Sequence, residues 1–197
     1  MKQFIKEWGA FIIFFVVLGL LRLFVLQPVS VDGHSMDPTL ADGERLIVLK
    51  TSSIERFDIL VAKEKEGNKT KEIVKRVVGL PGDTITYKDD VLYVNGKKTD
   101  EPYLDKYKKA FEEDDLQDIY SYNTLFQQLA ESSDAFTTAK DGSTEFTVKV
   151  PKDQYFLLGD DRIVSKDSRE VGTFKKSAIV GEVKFRFWPL SKIGSVH

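Results

Sequence analysis

The chain opens on one long apolar run and then changes period. From Trp8 to Leu26 it reads WGAFIIFFVVLGLLRLFVL, nineteen residues with a single charge. As an α-helix such a run is about 28 Å long, close to the hydrocarbon thickness of a bilayer, and it predicts a membrane-spanning helix. The one charge, Arg22, falls within about a turn of the end, where a long side chain reaches the interface. A cleavable leader has a shorter apolar run followed by a small-x-small site, whereas LQPVSVDG with Pro28 follows here, so the run reads as an uncleaved anchor. Lys2, Lys6 and the amino terminus flank its start, which puts residues 1–7 in the cytoplasm and the chain beyond residue 26 outside the cell membrane.

After the anchor the pattern turns to period two with frequent turn signals. ERLIVLK, DILVAK, EIVKRVVG and DTITYKDDVLYVNGKKT predict short strands, and Asn95-Gly96 in the last is a tight-turn dipeptide. Between residues 104 and 144 the composition becomes acidic and polar, with Leu125, Phe126 and Leu129 at helical spacing, which predicts a partly helical insertion. Strands resume at TEFTVKV and QYFLLGD. The chain closes on GEVKFRFWPL, where Val183, Phe185 and Phe187 alternate with Lys184, Arg186 and Trp188 and predict one buried face. The expected fold is mainly β: one transmembrane helix (8–26), then an antiparallel β catalytic domain in two parts (27–103 and 145–197) split by the 104–144 insertion.

Charge and composition narrow the chemistry. Twenty-nine basic residues against 31 acidic leave no overall field of the kind that binds nucleic acid. With no cysteine there is no disulfide, thiolate nucleophile or Cys-based zinc site, and two histidines, His34 and the terminal His197, supply neither a zinc hydrolase nor a Ser-His-Asp triad. Any hydrolytic base must be another residue type. Adjacent residues on an extended chain point to opposite faces, so His34 is expected to turn away from Ser35.

Three segments carry candidate chemistry: GHSMDPTL at 33–40, VKRVVGLPGD at 74–83 and GDDRIVSKDSREVG at 159–172. Taken singly, a Ser between Gly and Pro is usually a turn, a Lys ending an apolar strand usually snorkels, and a cluster of Asp and Arg is usually a salt-bridged loop. In this order behind a membrane helix, they resemble the bacterial type I signal peptidases, especially the compact Gram-positive forms. The matching blocks are Ser-Met-x-Pro-Thr-Leu at Ser35 to Leu40, Lys-Arg-x-x-Gly-Leu-Pro-Gly-Asp at Lys75 to Asp83, and the loop with Gly159, Asp160, Arg162, Ser165, Asp167, Ser168, Arg169 and Gly172, followed by the closing strand. The insertion matches no block. Two positions depart: Asp161 stands where the family most often has Asn, and Gly33 where Gram-negative members place a Ser that assists the oxyanion hole.

The resemblance implies a serine endopeptidase that removes signal peptides from exported preproteins, cutting after Ala-x-Ala. Ser35 would be the nucleophile and Lys75 the general base. An ammonium cannot accept a proton, so burial among Ile73, Val74, Val77 and Val78 would have to hold Lys75 neutral. Ser165 would hydrogen-bond that amine, Asp167 and Arg169 would brace the loop as an ion pair, and Arg76, Asp160 and Arg162 would support it. Val29, Val31, Met36, Leu40, Ile73 and Val74 would line the small pockets, and the oxyanion would rest on backbone N–H groups, chiefly that of Ser35. The implied partners are preproteins, the lipid bilayer and the secretion translocon, for a monomer that uses no cofactor or metal and binds no nucleic acid. Trp188 would rest on lipid while Phe185 and Phe187 close the core. A self-cleaving repressor with the same chemistry would need a DNA-binding head and an internal cleavage site, whereas this chain opens with a predicted membrane helix. A catalytically silent surface assembly factor or chaperone of the same fold is the remaining alternative.

Overall fold

The computed structural model describes residues 2–196, apart from the side chains of residues 2–7, Leu21 and Leu23. The positive flank of Lys2, Lys6 and the amino terminus therefore lies outside the described side chains, as does His197. Helix α1 (Lys2–Phe24) leads straight into strand β1 (Leu26–Ser30), so Leu26 belongs to the sheet. From Trp8 to Leu20 none of its side chains is buried, and Phe11, Ile13 and Phe14 are at least 60% exposed. Among the described residues no helix is long and apolar enough to cross a membrane.

The rest is mainly antiparallel β. Strands β2 (Arg45–Leu49), β3 (Ile59–Glu66) and β4 (Lys69–Gly79) follow β1. A meander of β5 (Thr84–Lys88), β6 (Val91–Val94) and β7 (Lys97–Thr99) comes next. After the insertion come β8 (Glu145–Lys149), β9 (Gln154–Leu158), β10 (Phe174–Lys175), β11 (Ile179–Trp188) and β12 (Gly194–Ser195). The large sheet runs β1-β2-β11-β3-β4-β9-β10, with β12 added to β11, and the small one β7-β6-β5-β8. The meander follows from its turns: Asp89 and Asp90 (φ 46° and 63°) and Asn95 and Gly96 (φ 53° and 79°) supply the paired left-handed conformations that two-residue hairpins need.

Alternation along the strands sorts the core. On β9, Tyr155 and Leu157 face a cluster with Leu60, Ala62 and Val77, while Phe156 and Leu158 face one with Val78, Ile85 and Tyr87. The small sheet packs there, so closely that a Cβ on Gly79 would stand 2.8 Å from the Phe156 and Val150 side chains. A third cluster, around Val31, Met36, Leu40 and Val48, takes in Ile59 and Val61 of β3 and Val183 of β11. Burying each such Leu or Val is worth about 1.5–3 kcal/mol. The sheet curls enough for Gln27 on β1 to donate to both carboxylate oxygens of Glu72 on β4 at 3.1 Å, although three strands separate them in the order.

The closing strand corrects one expectation. The register of β11 against β2 slips between Val183 and Phe185 and again between Arg186 and Trp188, so simple alternation fails. Val183 is buried, but Phe185 is 40% exposed beside Trp188 at 49%, and Phe187 is half-buried. Phe185 does not close the core.

The 104–144 segment folds as three helices, α2 (Asp105–Glu112), α3 (Leu116–Ile119) and α4 (Thr124–Ser132), around a small core of Leu104, Tyr107, Leu116, Tyr120 and Phe136. Asn123 caps α4, its Oδ1 accepting from the Leu125 and Phe126 N–H groups at 3.0 and 3.4 Å. That cap turns Phe126 inward and leaves Leu125 59% exposed.

Candidate active site

Ser35 stands on a tight turn after β1, pinned by its neighbours. Met36 and Leu40 are fully buried, and Met36 O accepts from Leu40 N at 2.9 Å. Gly33 enters the turn with φ 86°, a conformation that disfavours any Cβ, and its N–H is held by Asp42 Oδ1 at 2.8 Å. Gly33 N–H is thereby committed to Asp42, whereas the Ser35 N–H makes no hydrogen bond among the described residues.

Lys75 comes from the middle of β4, opposite Leu60 of β3, and its Nζ lies 2.5 Å from Ser35 Oγ in a hydrogen bond. It is 4% exposed. Burial pulls the amine down to about 8, against the opposing pull of the Asp167, Glu64 and Asp160 carboxylates. A substantial fraction of Lys75 is therefore neutral near pH 8, and a neutral amine can accept the serine proton.

The loop after β9 braces this pair. Asp167 Oδ2 accepts from Gly159 N at 3.0 Å, and Arg169 clamps the same carboxylate through Nε and Nη2, both at 2.9 Å. Burial works to raise the Asp167 carboxyl, and Arg169 with these hydrogen bonds more than reverses it, holding it below the usual range. Asp160 reaches out of the loop, taking a two-pronged bond from Arg76 at 2.8 and 2.7 Å and one from Thr39 Oγ1 at 2.6 Å. It thus ties the Lys75 strand to the Ser35 turn. Arg162 donates to Gly159 O at 2.9 Å and to Glu101 at 2.6 Å, with Tyr87 and Tyr103 beside it.

Ser165 departs from expectation. It is buried, but its Oγ makes no hydrogen bond among the described residues, so the expected bond to the Lys75 amine is absent. The hydroxyl lies instead against Gly159, where an added Cβ would collide with it and with the Ser35 carbonyl oxygen. The cause is packing: Gly159 lets the Ser165 turn and the Ser35 peptide share one space.

A cleft of about 260 Å³ runs past Ser35 and Lys75. Of the six expected pocket residues, Val31, Met36, Ile73 and Val74 line it. Leu40 is sealed in the core and Val29 packs on that core. His34 also lines the cleft, but its Nδ1 is bonded to Asp37 Oδ2 at 2.9 Å and its ring lies 4.9 Å from that of Tyr122.

Several site residues escape the sequence. Glu64, buried on β3 and paired with Lys71 at 3.6 Å and Lys166 at 3.8 Å, borders the cleft; strand register with Lys71 was its only signal. Glu101 as the partner of Arg162, Tyr120 as that of Asp161, and Phe126 as a cleft wall come from long-range packing with no local signature.

A buried lysine hydrogen-bonded to a serine in an open cleft is the geometry that a Ser/Lys hydrolase requires. A profile of the family described as signal peptidase, peptidase S26 matches residues 4–188, and the chain belongs to that family. It is 54% identical over 201 residues to signal peptidase I of Streptococcus pneumoniae (strain R6), covering 98% of each chain. To signal peptidase IB of Staphylococcus aureus (strain COL) it is 41% identical over 197 residues, covering 98% of this chain and 94% of that one. A crystal structure of a signal peptidase I from Enterococcus faecalis aligns with TM-score 0.48 at 29% identity, over 66% of this chain and 97% of that one. The protein is accordingly a serine endopeptidase that removes signal peptides from preproteins.

Proposed function

We propose that Ser35 is the nucleophile and neutral Lys75 its general base in cleavage after Ala-x-Ala. The observation that carries this reading is the 2.5 Å contact between Lys75 Nζ and Ser35 Oγ at an amine 4% exposed. Lys75 takes the hydroxyl proton as Oγ attacks the carbonyl carbon of the residue before the cut, and the resulting oxyanion is met by the Ser35 N–H. Collapse of the tetrahedral intermediate breaks the C–N bond, and the Lys75 ammonium returns its proton to the leaving amine. Lys75 then deprotonates a water that hydrolyses the acyl-enzyme. Asp160, Asp167, Arg76, Arg162 and Arg169 hold the turn, the strand and the loop in mutual register, and Ser165 supports by packing.

The substrate lies extended between residues 30–33 and 71–75, its first and third side chains before the cut resting on Val31, Met36, Ile73 and Val74, with Val29 and Leu40 behind. Relatives of this family are membrane-associated with the catalytic domain outside, and α1 is read as a single-pass anchor with a cytoplasmic amino terminus. Ser35 lies only nine positions beyond Leu26, a reach of at most about 30 Å, which keeps the site at the bilayer surface. Trp188, with Phe185, Leu190 and Ile193 at least 40% exposed nearby, is read as resting on lipid. The protein is taken as a monomer that receives preproteins from the translocon.

The test is cleavage of a preprotein whose signal ends in Ala-x-Ala by detergent-solubilised wild type, Ser35→Ala and Lys75→Ala. Cutting by the wild type alone supports the dyad. Failure of all three on good substrates turns the reading toward a silent assembly factor.

A further inference from the structure

The insertion reaches the cleft. Phe126 of α4 is one of its walls, together with Val164 of the loop that follows β9. Both belong to the insertion's own apolar cluster, whereas Val31, Met36 and Val74 belong to the cluster beneath the large sheet. Two separate apolar surfaces therefore meet across the groove that holds Ser35 and Lys75.

Phe126 is held there from several directions. Its ring lies 6.0 Å from His34, 5.7 Å from Tyr120 and 6.1 Å from Tyr122, all edge-on, and the Asn123 cap fixes the start of its helix. His34 is itself fixed by Asp37. An aromatic ring so placed is a preformed wall, which loses little side-chain entropy on meeting a ligand.

An extended substrate alternates its side chains. If the first and third residues before the cut face the sheet-side cluster, the residue between them faces away from it, toward the insertion. We propose that Phe126, backed by Tyr122 and Val164, is a specificity-determining residue that contacts the middle residue of Ala-x-Ala and favours a large apolar side chain there. The inference rests on the cleavage reading above and adds a contact from the insertion, which no matched sequence block contains.

The test compares kcat/KM of the solubilised full chain on two preproteins that differ only at that middle position, Leu against Gly. The wild type is expected to favour Leu about five- to tenfold, Phe126→Ala to bring the ratio within about twofold of unity, and Phe126→Leu to keep most of the preference. Because each ratio is taken within one variant, a reduced folded fraction does not alter it. A ratio near unity in the wild type, or one unchanged in Phe126→Ala, overturns the proposal. A wild type that cuts neither preprotein overturns the cleavage reading itself.

Discussion

Tyr120 donates its hydroxyl hydrogen to Asp161 Oδ1 at 2.6 Å, joining the insertion to the loop that braces the Ser/Lys pair. The N–H of the same Asp161 donates to the Ser35 carbonyl at 3.2 Å. Insertion, loop and nucleophile turn thus meet on one buried residue.

That carboxyl is costly as an anion. Asp161 is fully buried and its Oδ2 has no hydrogen bond among the described residues. Burial raises it from 3.8 to about 7, against the Tyr120 hydrogen bond. A folded-state value above the unfolded one means that the folded protein holds the proton more tightly between pH 4 and 7, so this group's contribution falls as pH rises through that window. Above it the cost is of order 2–4 kcal/mol. Asp161→Asn, which keeps an acceptor for Tyr120, is therefore expected to stabilise the protein above pH 7, with the gain shrinking toward pH 4. Denaturant unfolding of both forms at pH 4.5 and pH 8 checks this, and an equal difference at the two values sinks it.

The sequence showed what is local and missed what is not. Ser35, Lys75 and the 159–172 loop stood out because each lies in a contiguous block with a recognisable order, and the Asn95-Gly96 turn because φ above zero restricts residue choice. The insertion's helical spacing was legible, but not that its inward face would reach His34, since that depends on Asp161, Tyr120 and Phe126 meeting across the fold. Alternation misplaced Phe185 because two register slips in β11 leave no trace in the residue pattern. The resemblance implies a hydrogen bond for Ser165, whereas its hydroxyl lies packed against Gly159 without one among the described residues, a close approach that no local residue pattern marks.

Cleavage should follow the protonation of Lys75. With the amine lowered to about 8 by burial, the reactive neutral form falls about tenfold per pH unit below that value and saturates above it. The expected kcat/KM profile rises from pH 6 to 8 and is level by about pH 9. A flat acid-to-neutral profile, measured under single-turnover conditions, removes Lys75 as the base.

The same burial makes Lys75 a stability cost. Its folded value lies below the ordinary 10.5, so the unfolded chain binds the proton more tightly between pH 8 and 10.5, and stability rises with pH across that window. Below it the cost is up to about 3 kcal/mol, partly offset by the bond to Ser35 at about 1 kcal/mol. Lys75→Met should abolish cleavage and yet raise the unfolding midpoint at pH 7, with the advantage fading toward pH 10.5. A midpoint that drops at pH 7 contradicts the account.

Gly159 sets how near the bracing loop stands to the nucleophile. A Cβ at this position meets the Ser165 hydroxyl, the Ser165 Cβ and the Ser35 carbonyl oxygen. The Ser165 hydroxyl can rotate, but its Cβ yields only by moving the bracing loop, and the Ser35 peptide only by moving the turn that carries Oγ. Overpacking of this kind costs about 1–3 kcal/mol, and misplacing a reacting group by about 1 Å can cost about a hundredfold in rate. Gly159→Ala is therefore expected to lose about a hundredfold in kcat while the protein remains folded at 25 °C. Gly159→Ala combined with Ser165→Gly separates the two contacts. The double variant removes both Ser165 contacts and leaves the one to Ser35, so a rate that stays low assigns the loss to the Ser35 backbone, and full recovery assigns it to Ser165 and refutes the backbone argument.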